Sequence, residues 1–197
     1  MYAQQTLISF HIAAMPRSTP LAILLVDGYN VVGSWADLKQ TRDRDGLEGA
    51  RRQLIEVLTN YSAYQDFDTR IIFDAQYRDI PSTREVVTSN LAVCYTDFGQ
   101  TADTFIEKAC AAFRTDVRKF HQRLIVATSD RAQRLTVVGY GAECISVEQL
   151  ALDVHSAFTQ VKQKKKPTQK STGRFLEHCL DPEAQKKLTQ MRFGKID

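Results

Sequence analysis

Short apolar runs alternate with amphipathic stretches along most of the chain. The continuous apolar run at 22–26 has the length and character of a strand buried on both faces. Residues 46–64 instead place apolar side chains three and four positions apart, which predicts an amphipathic helix. The same reasoning predicts further strands at 70–73, 91–95, 124–127 and 143–145, and further helices at 102–120, 129–140 and 146–161. This alternation predicts an α/β fold, with a parallel sheet of about five strands flanked by helices.

The pattern divides the chain into three parts. Residues 1–20 show little periodicity and are predicted to be a flexible leader. Residues 21–161 carry all the predicted strands and are long enough to enclose one core, so they form the predicted folded domain. Residues 162–197 are predicted to be a basic linker, polar and lysine-rich, followed by a short C-terminal helix at 182–192.

The net charge of +3 is distributed unevenly. Residues 1–159 have 16 Lys and Arg against 19 Asp and Glu, which gives −3, whereas residues 160–197 have 10 against 4, which gives +6. An acidic body with a basic tail is typical of a protein whose body binds cations and whose tail meets a polyanion. A solvated tail that only keeps the protein soluble is equally compatible with the composition.

Several classes of protein are disfavoured. No stretch approaches 18 consecutive apolar residues, so no segment is predicted to span a membrane. The four cysteines are widely spaced without a CxxC pair, which argues against a zinc site or a disulfide framework and fits a cytoplasmic location. A dinucleotide-binding protein is disfavoured because no GxGxxG motif follows the first predicted strand. A HAD-type phosphatase needs an aspartate two residues after its strand-end aspartate, where this chain has Tyr29.

Acidic residues follow the predicted strands repeatedly. Asp27 and Asp74 come directly after the first and second strands, and Asp130 follows the fourth. Asp103 begins the helix after the third strand, with Glu107 one turn later on the same helix face. Because the carboxyl ends of parallel strands lie at one edge of a sheet, we expect these side chains to converge there. Converging carboxylates repel one another unless they share cations, and Mg²⁺ or Mn²⁺ fits oxygen ligands of this kind.

Each acid also has a local explanation. Asp103 can be an acid in the first turn of a helix, where the helix dipole favours it, and Asp130 can be a helix N-cap. Aspartates after strands are also common in turns. Their joint occurrence at one edge favours a shared acidic metal site, but the pattern alone names no substrate.

Four ordered motifs carry a family resemblance. Residues 24–30 read LLVDGYN, and FDA at 73–75, QTAD at 100–103 and VATSD at 126–130 follow in order. This series resembles the YacP-like group of NYN domains, relatives of the PIN nucleases, over about residues 21–160. Residues 43–48 and 60–62 are similar to the cyanobacterial branch of that group.

The resemblance implies a PIN-like, Rossmann-like fold and a metal-dependent endoribonuclease that uses Mg²⁺ or Mn²⁺. It makes Asp27, Asp103 and Asp130 the expected catalytic metal ligands, and Asn30 the residue that orients a ligand or water. Asp74 and Glu107 match further family positions and are expected to complete the acidic rim of the substrate site. Some members resemble a ribosome-associated enzyme that cuts messenger RNA, so messenger RNA and the ribosome are expected partners.

Substrate contacts are expected from polar and basic residues near the motifs and in the tail. The hydroxyls of Thr128 and Ser129 are candidates for phosphate contacts, with helix capping as the alternative. Arg131 follows the last motif and is expected to flank the substrate channel. The basic strip that includes Lys164, Lys165 and Lys166 suits phosphate contacts without sequence reading. The alternative function is a non-catalytic RNA- or ribosome-binding module that keeps the acids for structure.

Overall fold

The computed structural model describes residues 19–74, 83–165 and Glu183. The chain divides into two compact units, Met1–Phe158 and Thr159–Asp197, and the first contains the whole of the sheet. Most of the predicted leader, most of the predicted linker and all but Glu183 of the predicted C-terminal helix lie outside the described residues. No helix in the described ranges has the length and apolar content needed to cross a bilayer.

The described strands and helices alternate along much of the chain, as the sequence predicts. They are β1 (Ala22–Asp27), α1 (Gly28–Ser34), α2 (Ala36–Gln65), β2 (Phe67–Phe73), β3 (Thr83–Thr88), β4 (Leu91–Tyr95), α3 (Ala102–Thr115), a 3-10 helix (Val117–Phe120), β5 (Arg123–Ala127), α4 (Arg131–Gly139), β6 (Glu143–Ile145) and α5 (Val147–Lys165). The alternation is broken where α1 and α2 are consecutive, and so are β2, β3 and β4 in the described order.

The six strands form one sheet in the order β3-β4-β2-β1-β5-β6. All neighbours pair in parallel except β3, which runs antiparallel to β4 at the edge. Val26 of β1 lies opposite Ile71 of β2 on one side and Ala127 of β5 on the other. The central strands therefore end nearly level, so the residues that follow them lie along one edge. The predicted α/β fold with a parallel sheet is confirmed.

Helices cover both faces of the sheet, which explains why β1 is apolar from Ala22 to Val26. Leu24 and Val26 pack in one core cluster with Leu54 of α2, whereas Ile23 and Leu25 pack in a second cluster. The second cluster contains buried residues of α3 and α4. Successive side chains of a strand point to opposite faces, so a central strand with two covered faces favours apolar side chains at successive positions.

Three elements differ from the predictions in the first half of the chain. Helix α1 is not predicted, because its sequence GYNVVGS is short and contains two glycines. Helix α2 begins at Ala36, ten residues before its predicted start, and is interrupted at Gly46, where φ is 78° and ψ is 179°. Strand β3 is not predicted, because all but one of its side chains are exposed and they show no apolar face.

Two helix ends also differ. The helix predicted at 102–120 ends at Thr115, because Asp116 is extended with ψ at 139°, and a separate 3-10 turn follows. Helix α5 continues to Lys165 instead of ending at residue 161, so the first residues predicted as linker are helical. The other predicted strand positions agree with the structure to within a few residues.

Candidate active site

Asp27 lies at the junction of β1 and α1, where it caps the helix. Its Oδ1 accepts a hydrogen bond from the Asn30 backbone amide at 3.1 Å, and the residue is only 8% exposed. Burial is the largest cause that raises the pKa of Asp27, to about 6, and the negative charges of Asp103 and Asp130 act in the same direction. Asp27 is therefore held rigidly in an environment that penalises its charge.

The glycine that follows Asp27 allows close packing beneath the site. A Cβ atom on Gly28 would lie 2.3 Å from the ring of Phe73, the last residue of β2. Phe73 is fully buried and packs between Tyr29, at a centroid distance of 5.1 Å, and Tyr95, at 5.8 Å. The Tyr29 hydroxyl accepts a hydrogen bond from Arg51 Nη1 at 2.8 Å. Only a residue without a side chain leaves this approach of α1 to β2 undisturbed.

Asp103 and Asp130 occupy the starts of two helices. Asp103 lies in the first turn of α3, which Thr101 caps by accepting the Thr104 amide at 3.2 Å. Asp130 caps α4, and its Oδ1 accepts the Gln133 amide at 2.9 Å. Both acids are exposed and both have the local roles considered above. These roles do not conflict with a shared site, because a carboxylate has a second oxygen that can accept another ligand.

The acids at this edge influence one another electrostatically. Burial is the largest cause that raises the pKa of Asp103, followed by the negative charges of Asp130, Glu107 and Asp74. The pKa of Asp27 responds in turn to Asp103 and Asp130. Elements that are distant in sequence thus contribute to one region of negative potential.

Gln133, which sequence reasoning missed, links two of these acids. Its side-chain Nε2 donates to Asp103 Oδ1 at 2.6 Å, while its backbone amide donates to Asp130. The residue is 2% exposed. A glutamine inside a helix does not by itself indicate a functional residue. The one feature of the sequence that could have pointed to Gln133 is its position three residues after the N-cap Asp130.

Asn30 and the VATSD segment join the edges of β1 and β5. Asn30 Oδ1 accepts the Ser129 backbone amide at 3.1 Å. Thr128 is fully buried and its hydroxyl accepts the Asp130 amide at 3.1 Å, and the Ser129 hydroxyl donates to Glu148 at 3.0 Å. Both hydroxyls therefore make structural hydrogen bonds, the kind of role considered as the alternative to phosphate contacts. The phosphate contacts and the orienting role of Asn30 stay predictions.

The structure describes some of the basic residues that are predicted to contact RNA. Arg131 is the exposed first residue of α4, directly after Asp130. Lys164 and Lys165 end α5, and Lys166 lies outside the described residues. Their contacts with RNA stay predictions.

The donor set at the site is made of oxygen atoms. Within the described residues, no group of three or more His, Cys, Asp or Glu side chains is close enough to hold a metal ion. The carboxylates nevertheless repel one another, and the buried Oε1 of Gln133 has no hydrogen-bond partner among the described residues. Oxygen donors with unbalanced negative charge fit Mg²⁺ or Mn²⁺ better than zinc.

Known proteins share both the sequence motifs and this fold. A model of the YacP-like NYN domain matches residues 24–193. The chain is 30% identical over 178 residues to "Uncharacterized protein YacP" of Bacillus subtilis (strain 168), covering 89% of this chain and 99% of that protein. It is also similar to the crystal structure of Rae1 (YacP) from Bacillus subtilis, with a TM-score of 0.59, 28% identity, and coverage of 87% and 95% of the two chains. The crystal structure of a mutant form of Rae1 (YacP) matches with a TM-score of 0.62, 26% identity, and coverage of 86% and 99%.

Proposed function

The chain belongs to the YacP-like NYN domain family, a group of nuclease-like, RNA-related domains, and on that premise we propose that it is a metal-dependent endoribonuclease. The observation that carries the proposal is geometric: Asp27 caps the helix that follows β1 at the carboxyl edge of the sheet, and Gln133 donates hydrogen bonds to both Asp103 and Asp130. Local roles at helix starts would not by themselves require Gln133 to link Asp103 of α3 with Asp130 of α4.

Asp27, Asp103 and Asp130 are the residues that would hold Mg²⁺ or Mn²⁺. Such an ion, when bound, neutralises phosphate charge and lowers the pKa of water for hydrolysis of the phosphodiester bond. The described residues contain no group of three such side chains close enough to hold an ion, and Mg²⁺ commonly binds only one or two carboxylates and keeps several water ligands. A bound cation would offset the neighbouring negative charges that, after burial, raise the pKa values of Asp27 and Asp103.

The surrounding residues have roles that follow from their exposure. Asp27 is buried and caps α1, so it provides a rigid anchor at the base of the site. Asp103 and Asp130 are exposed and would meet an incoming phosphodiester, and Asp74 and Glu107 would extend the negative rim. Arg131 is an exposed cation beside Asp130 and would bind a neighbouring phosphate. The lysines at 164–166 would add contacts that are independent of RNA sequence.

The cleavage experiment compares the site acids with an aspartate elsewhere. Asp27→Asn and Asp103→Asn are assayed on a labelled structured RNA with Mn²⁺, beside Asp116→Asn, which changes the N-cap of the 3-10 helix. Each site variant should lose at least about 100-fold in rate, which corresponds to about 2.7 kcal/mol of transition-state stabilisation. Asp116→Asn should cut like the wild type.

A binding module is the second candidate, favoured by the lack of a preassembled group of metal ligands among the described residues. It predicts that all three variants show the same residual cutting, as expected from a contaminating nuclease, while RNA binding is retained. Association with ribosomes and cleavage of messenger RNA are tested separately, by sedimentation with ribosomes and by mapping RNA ends in cells. Failure of ribosome association would restrict the partner and leave the nuclease proposal in place.

A further inference from the structure

Gln133 is at a position that normally stabilises a helix start in another way. It is the third residue after the N-cap Asp130, where a glutamine side chain commonly turns back to accept the backbone amide of the N-cap residue. In this chain the Asp130 amide instead donates to the Thr128 hydroxyl at 3.1 Å. The capping function of the Gln133 side chain is thus taken over by Thr128, and the side chain can point away from its own helix.

The Gln133 side chain connects α4 with α3. Its Nε2 donates to Asp103 Oδ1 at 2.6 Å, and its backbone amide donates to Asp130 Oδ1 at 2.9 Å. One residue therefore fixes one oxygen of each of two acids that belong to different helices. Since the residue is 2% exposed, packing holds the amide in place and the acids have little freedom relative to it.

The arrangement is costly for folding. The other amide atom, Oε1, is buried and has no hydrogen-bond partner among the described residues. A buried polar atom without a partner destabilises a fold, and an apolar side chain of the same size would avoid that penalty. This penalty offsets the hydrogen bond that Nε2 donates to Asp103, so the stability of the unliganded protein gives little reason for a glutamine here.

The neutrality of the amide suits a cation site. A lysine or arginine at this position would pair with Asp103 and cancel the negative charge that attracts a divalent ion. An amide donates a hydrogen bond to the carboxylate and leaves its charge in place. Residues that orient metal ligands from behind commonly act in this way.

We propose that Gln133 is a positioning residue that holds the carboxylates of Asp103 and Asp130 in place for one divalent ion. The inference rests on the proposed function, since it concerns the same acids. Gln133 itself touches neither the ion nor the RNA; it acts through Asp103 and Asp130.

The test measures Mn²⁺ binding in the absence of RNA, by electron paramagnetic resonance of the free ion. Gln133→Met removes the side-chain amide but keeps the volume and the backbone amide that caps Asp130. The control is Gln149→Met: Gln149 follows Ser146 by three residues at the start of α5, and its Nε2 donates to Asp153 Oδ1 at 2.8 Å. Gln133→Met should weaken Mn²⁺ binding by about 10- to 100-fold, and Gln149→Met should not change it.

Two further readouts separate positioning from a structural role. The melting temperature of Gln133→Met in EDTA should change little, because the lost hydrogen bond to Asp103 is offset by removal of the buried Oε1 that has no partner among the described residues. The cleavage rate should fall at low Mn²⁺ and recover in part at high Mn²⁺, as mass action requires. If Gln133→Met is too unstable to purify, Gln133→Leu replaces it in the same comparison.

The outcomes are distinct. If the wild type binds no Mn²⁺, the proposed ion and the role of Gln133 both fail. If the wild type binds Mn²⁺ and Gln133→Met binds it equally well, the positioning role is overturned and the metal-dependent nuclease remains. A loss shared by Gln149→Met would also overturn it, because the effect would not be specific to the site.

Discussion

Acidic side chains at the two ends of the parallel strands have opposite environments. Toward the amino ends, acids pair with arginines: Asp116 with Arg118 at 2.6 Å, and Glu143 with Arg123. Hydrogen bonds from these arginines lower the pKa values of Asp116 and Glu143. At the carboxyl ends, burial and neighbouring carboxylates raise the pKa of Asp27 instead.

This difference separates stability from function within one sheet. The arginine pairs are largely exposed, so water screens them and each contributes little to folding. At the carboxyl edge, burial and neighbouring carboxylates impose a free-energy cost on the ionised form of Asp27. A ligand of opposite charge can recover it, which is why the destabilised end is the candidate active site.

The largest expected effect is on the free energy of unfolding and comes from the ionised form of Asp27. Its pKa rises from 3.8 to about 6 in the folded protein, so the folded state binds the proton more tightly than the unfolded state. Stability should then fall as pH rises from about 4 to above 6, by up to about 3 kcal/mol. Asp27→Asn keeps an N-cap acceptor without the charge, so in EDTA at pH 7.5 it should be more stable than the wild type by up to that amount.

Asp116→Asn is the matched control, because Asp116 is also an N-cap aspartate. Its pKa is lowered in the folded state, so its contribution is present above the unfolded pKa and is lost as pH falls. The substitution should therefore not stabilise the protein at pH 7.5. The measurement is chemical denaturation from pH 4 to 8 for both variants. A stability gain of equal size in both would show that the two ends do not differ.

The next effect concerns the packing that supports Asp27. Gly28→Ala places a Cβ atom against Phe73, so the ring or α1 must shift, and we expect a loss of about 1–3 kcal/mol in unfolding free energy. Gly33→Ala is the control in the same helix, because a Cβ there meets nothing within 4 Å. It should be neutral or slightly stabilising, since alanine favours helices. Equal stability of the two variants by denaturation would contradict the close packing.

Burial explains which elements the sequence could predict. Strands β1 and β4 are buried along their whole lengths, so their apolar runs identify them. Strand β3 lies at the exposed edge of the sheet. Because neither of its faces is covered, its sequence TREVVT shows no apolar pattern that would identify a strand. Helix α2 is predicted only from residue 46, because the part before Gly46 is mostly polar.

The candidate site follows the same rule with one addition. Asp27, Asp103 and Asp130 could be predicted because charged residues after strands or at helix starts are conspicuous, and parallel topology then brings them to one edge. Gln133 could not, because its role depends on the distance between α3 and α4, which no local pattern encodes. The hydrogen-bond partners of the Thr128 and Ser129 hydroxyls likewise become known only from the folded structure.

The smallest expected effect is at the amino end, in the pair of Arg123 and Glu143. Arg123 Nε donates to Glu143 Oε1 at 2.7 Å, but the two side chains are 60% and 49% exposed. A double-mutant cycle with Arg123→Gln and Glu143→Gln should give a coupling below about 1 kcal/mol at neutral pH. The coupling should shrink with added salt and disappear as pH falls through the lowered pKa of Glu143. A coupling that stayed above about 2 kcal/mol in about 1 M salt would mean that this end also stores strong electrostatic energy, and the contrast with the Asp27 edge would then lose its basis.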